Sequence, residues 1–154
     1  MADTRTFTVT EPRQVPALSL LLGFGAMIPL AAGAILTWVL PEPGSGLARG
    51  AALMWGSAIL LFLSGVRRGV SFRTPAGPTV AQILTMLWLF ALGLVALPLL
   101  PGPLAPVPLL LGYLSIAVLD PIAARRNETS LFFARLRPVQ MAIPVISLLA
   151  MVVR

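Results

Sequence analysis

The sequence contains no cysteine, no histidine and no lysine, and only five of its 154 residues are acidic. Without cysteine there can be no disulfide, no thiolate nucleophile and no thiolate-bound metal or iron–sulfur cluster. Without histidine the chain lacks the commonest metal ligand and the usual acid–base group at neutral pH. Charged residues of both signs make up 10% of the chain, whereas a soluble domain carries about 25% to keep its surface wet. So little polar surface cannot cover a globule in water, but a bilayer removes that requirement.

What is present is apolar: 58% of residues are hydrophobic and the mean hydropathy is +0.95. All eleven cations are arginine, giving a formal net charge of +6. Basic patches bind nucleic acid, but these arginines lie between apolar runs, so no nucleic-acid partner is expected. Arginine in place of every lysine, with abundant alanine, glycine and proline, points to a GC-rich bacterial genome.

A transmembrane helix needs roughly 20 mainly apolar residues. Five stretches are expected to qualify: 16–40, 50–66, 80–100, 104–119 and 139–153, the last being short unless its helix begins near Ser130. The first is too long for the roughly 7–15-residue core of a signal peptide and reads as a retained helix. The predicted fold is an all-α bundle of about five transmembrane helices behind a polar tail of residues 1–15. Pro29 and Pro144 fall inside spans and are expected to kink them. Trp55, Trp88 and Tyr113 lie deep enough that each N–H or O–H needs a partner.

Arginine placement predicts orientation. Arg5, Arg13, Arg67, Arg68, Arg73, Arg125, Arg126, Arg135 and Arg137 fall on one side of the five spans, and Arg49 and Arg154 on the other. Positive residues in short loops stay cytoplasmic, which puts the N-terminus inside and the C-terminus outside, in a multi-pass protein of the bacterial inner membrane. The outer links, Pro41 to Arg49 and Pro101 to Val107, are short, so spans 1–2 and 3–4 are expected to form hairpins. The inner segment 120–138 is expected to lie along the interface, with arginine heads at lipid phosphates and Leu131, Phe132, Phe133 and Leu136 dipping inward.

The spans carry no charge away from their ends, which argues against a pump or ion-coupled transporter. Asp120 has two readings. It can cap a new turn opened by Pro121 and pair with nearby arginines, or it can join Arg67 or Arg68 in an inner cluster that binds a lipid headgroup or a partner. The candidate contacts to anionic lipid headgroups or a protein partner are Arg67, Arg68, Asp120, Arg125, Arg126, Arg135 and Arg137. No catalytic residue, cofactor or metal ligand is expected. The spacings Gly46-x-x-x-Gly50 and Gly65-x-x-x-Gly69 suit close helix approach, though both sit at span ends.

Several segments resemble a known family. Val15-Pro16, Leu22-Gly23-x-Gly25-x-x-x-Pro29, Ile59-Leu60-x-Phe62-Leu63-x-Gly65-Val66-x-x-Gly69, Leu119-Asp120 and Phe133-x-Arg135-Leu136-Arg137 are similar to the DUF3429 family of small polytopic membrane proteins, the transmembrane protein 69-like proteins. The resemblance runs from Val15 onward and implies the same helical membrane fold. It implies no activity, and this chain departs from the family in having Arg67-Arg68 where an aromatic usually precedes the last glycine. With nothing catalytic in view, the expected role is that of an accessory or assembly subunit of a larger respiratory or photosynthetic membrane complex. The alternative is a small passive carrier or a lipid- or quinone-binding protein.

Overall fold

A computed structural model describes residues 15–72, 74, 77–126, 128–129 and 133–154. Arg5, Arg13 and Arg73 of the charge pattern, and Leu131 and Phe132 of the inner segment, lie outside them. The described residues form α1 (Ala17–Gly25), α2 (Ile28–Val39), α3 (Gly44–Ser71), α4 (Val80–Ala96), α5 (Pro106–Arg125) and α6 (Phe133–Val152), with a 3-10 turn at Leu97–Leu99 and no strand. Counting α1 and α2 together, five helical segments are long and apolar enough to cross a membrane.

Neighbours in sequence pack side by side, α2 on α3, α3 on α4, α4 on α5 and α5 on α6, and α6 returns to α2 to close the ring. Helix α3 also meets α5 across it. The core is a column of apolar side chains that includes Leu30, Leu53, Leu60, Leu89, Leu109, Ile116, Met141 and Leu148. Outward faces carry large apolar residues such as Leu21, Ile35, Phe62, Leu84, Val118 and Ile146, a pattern that hydrocarbon tolerates and water does not. In the most apolar window of Pro106–Arg125 and of Phe133–Val152, 44% of residues are buried, against 22% for Val80–Leu99. Helices α5 and α6 are therefore the most buried of the five segments.

Three boundaries differ from those predicted. Helix α3 runs from Gly44 to Ser71, not 50 to 66, because arginines at both ends can stay helical while their heads reach a polar layer. Helix α5 continues through Asp120-Pro121 to Arg125, so Asp120 does not cap a new turn. Pro121 removes one backbone donor, but unwinding the helix there would expose several more peptide groups to an apolar medium. Helix α6 begins at Phe133, so the expected interfacial segment 120–138 is largely two helix ends with a short link between them.

The first span is one crossing in two pieces. It breaks at Ala26–Met27, one turn ahead of Pro29, which lies in the first turn of α2. Met27 N donates to Phe24 O at 2.9 Å rather than to Gly23 O. The break thus frees the carbonyls of Gly23 and Ala26, and side chains from other helices take both. Gln140 Nε2 of α6 donates to Gly23 O at 2.7 Å, and Trp55 Nε1 of α3 donates to Ala26 O at 2.8 Å.

Candidate functional site

Asp120 sits on the inward face of α5, one and a half turns before its end, and is 7% exposed. Arg67, near the end of α3, donates to Asp120 Oδ1 from Nη2 at 2.6 Å and from Nε at 3.1 Å. Arg137, in the second turn of α6, places Nε 3.0 Å from Asp120 Oδ2. That N–H points off the line of a hydrogen bond and is the buried side-chain donor left without one among the described residues. The contact is an ion pair by distance, and its geometry is poorer than that of Arg67.

Polar contacts continue outward from the trio. Arg67 Nη1 donates to Thr85 Oγ1 of α4 at 2.7 Å, and that hydroxyl donates to the carbonyls of Ala81 and Gln82. Arg137 Nη1 donates to Gln140 Oε1 at 2.8 Å, and Gln140 reaches the freed Gly23 carbonyl of α1. One chain of contacts, Gly23–Gln140–Arg137–Asp120–Arg67–Thr85, therefore touches all five spans. Buried charges persist only when paired and hydrogen-bonded, and here the pairing doubles as a brace.

The predicted contacts divide accordingly. Arg67, Asp120 and Arg137 come together; Arg68, Arg125, Arg126 and Arg135 do not join them. Arg68 turns away, its guanidinium 4.2 Å from the Phe72 ring centre and Nη1 bonded to Ser71 Oγ. Arg125, Arg126 and Arg135 are exposed at the same end of the bundle. The trio lies one to one and a half turns from the ends of its helices, buried by the packing of α3, α5 and α6. The sequence pattern places Arg137 in the interfacial segment, and the early start of α6 carries it inward instead.

Three polar groups escaped notice in the sequence: Gln140, Thr85 and Gln82. Gln140 is 2% exposed, and a lone amide in the apolar run 139–153 was a readable signal, since it must find partners there. Gln82 closes a capping box with Thr79 at the start of α4, which the spacing Thr79-x-x-Gln82 encodes. The deep aromatics all find partners: Trp55 on Ala26 O, Trp88 Nε1 on Ser115 Oγ at 3.0 Å, and Tyr113 Oη on Gly56 O at 2.8 Å.

Beside the trio is a small cleft lined by Arg67, Asp120, Arg137, Glu128, Thr129 and Phe133, among others, with a volume of about 30 Å³. A water needs about 10–15 Å³ measured this way, so the cleft takes a few waters at most. No group of three or more metal-binding side chains occurs among the described residues.

The opposite end of the bundle differs in character. A groove of about 500 Å³ runs between α2 and α6, with an exposed wall that is wholly apolar. At its end Trp38 Nε1 donates to Ala150 O at 3.1 Å, Arg154 Nη1 donates to Trp38 O at 3.1 Å, and Arg49 Nη1 donates to Met151 O at 2.6 Å.

No protein-family model, no curated protein and no solved structure matches the chain.

Proposed function

We propose that this is a non-enzymatic integral protein of the bacterial inner membrane, its arginine-rich end in the cytoplasm, serving as an accessory or assembly subunit of a larger respiratory or photosynthetic complex. The observation that carries the proposal is what the interior polar groups do. Arg67, Asp120 and Arg137 engage one another, Gln140, Thr85 and, through them, the helix backbones. The space beside them, about 30 Å³, admits water and no substrate. Groups committed to bracing helices have little left to offer a reaction, while exposed Arg125, Arg126 and Arg135 at the rim remain open to a partner's acidic surface. Membership of the DUF3429 family belongs to the same proposal and adds no activity to it.

The test is extraction of the tagged native protein in mild detergent, sized on a native gel and read by mass spectrometry. Co-migration with a defined membrane complex is expected, and replacing Arg125, Arg126 and Arg135 with glutamine should weaken it. Migration alone would reject the subunit role. The polar cleft among the described residues is too small for a carried solute, whereas lipid binding has one feature in its favour, the apolar groove between α2 and α6.

A further inference from the structure

We infer that the α2–α6 groove and the two arginines at its end form a site for one anionic phospholipid, an acyl chain lying in the groove and the phosphate meeting Arg49 and Arg154. The groove exists because α2 and α6 present small side chains there, Ala31, Ala34 and Ala150, flanked by Ile35, Ile146 and Trp38. Its volume of about 500 Å³ lies in the range of sites for small apolar ligands, roughly 300–1,000 Å³. In a bilayer a chain of lipid fills such a groove, and the end of the groove decides which lipid it belongs to.

That end is cationic. Arg49 and Arg154 are each held by a backbone carbonyl of a helix that forms the groove, Met151 O of α6 and Trp38 O of α2. Arg154 also lies 5.5 Å from the Trp38 ring centre, which fixes its head beside the groove. Each guanidinium has five N–H donors and has one bonded in this way, so most remain available. The acid of this end, Glu42, bonds Ser45 Oγ at 2.6 Å and Gly46 N at 3.3 Å, and it forms no ion pair with either arginine among the described residues. Two neighbouring cations that no side-chain carboxylate pairs among the described residues suit a phosphate, which arginine binds with paired donors. A second copy of the chain is the poorer occupant, because a two-fold contact through this face would set the arginine pair against its own image.

The test is native mass spectrometry of the full chain in detergent with equal amounts of phosphatidylglycerol and phosphatidylcholine. One phosphatidylglycerol should be retained with roughly thirtyfold preference, taking about 1 kcal/mol per basic residue. Arg49→Gln with Arg154→Gln should remove that preference. Ala31→Phe should expel the lipid with both arginines intact, and Arg125→Gln, Arg126→Gln and Arg135→Gln together should leave it bound. Equal retention of the two lipids by the unaltered chain overturns the inference, and this comparison needs no variant to fold. A preference that survives loss of Arg49 and Arg154, or a lipid-free dimer, overturns it too. The outcome is independent of the subunit proposal, since a chain that migrates alone can still carry the lipid.

Discussion

Asp120 stands between two guanidiniums, so the buried trio carries a formal excess of one positive charge. Removing the carboxylate would leave two buried cations facing each other. Asp120→Asn is therefore expected to cost about 3–5 kcal/mol, read as a fall in the midpoint of unfolding in detergent. Arg137→Leu should cost less, about 1–3 kcal/mol, because Asp120 keeps its better-aligned partner Arg67, and what is lost is an oblique ion pair, the hydrogen bond to Gln140 and the contact with the Phe133 ring. The reverse order would mean that Arg137, despite its oblique contact, is the main counter-ion. Two of the three members are legible in the sequence. Arg67 and Asp120 stand out as charges flanking apolar runs, and both readings of Asp120 pair it with an arginine. Arg137 was hidden because Pro138 follows it and proline reads as a helix boundary, whereas the helix runs straight through.

The broken first span poses the question of what satisfies a carbonyl when its helix lets go. Pro29 made a distortion predictable, but the donors come from residues far away in sequence, Gln140 and Trp55, and nothing local could identify them. Gln140→Leu should cost about 1–3 kcal/mol by stranding the Gly23 carbonyl. In a Pro29→Ala background, where a continuous helix can reclaim that carbonyl, the penalty should shrink. A double-mutant cycle on the same unfolding assay checks this; equal penalties in both backgrounds would mean the carbonyl is not the point of coupling. Glycine matters differently one turn on. A Cβ on Gly33 would collide with the Ala52 side chain, so the close approach of α2 to α3 depends on its absence. Of the four glycines singled out by spacing, Gly65 and Gly69 face open space, while Gly46 meets Glu42 and Gly50 meets Pro101, neither of them on a second helix.

At the scale of the whole molecule, the number and order of spans were readable because hydropathy reports what hydrocarbon will accept. Their ends were not, because a helix stops where its backbone loses partners and an arginine can remain helical well past the apolar run. Orientation is testable with unusual ease in a chain with no cysteine of its own. In intact cells a membrane-impermeant maleimide should label Glu42→Cys, and it should reach Glu128→Cys only after permeabilisation. The opposite pattern would reverse the proposed orientation.

The polar contacts that touch every span also have an order in time. Residues 23, 67, 85 and 120 leave the ribosome first, and the first four spans contain both partners of the Arg67–Asp120 pair. What they lack is Arg137 and Gln140, so the Gly23 carbonyl stays without its amide and Asp120 Oδ2 without its second cation. The brace closes only when α6 arrives.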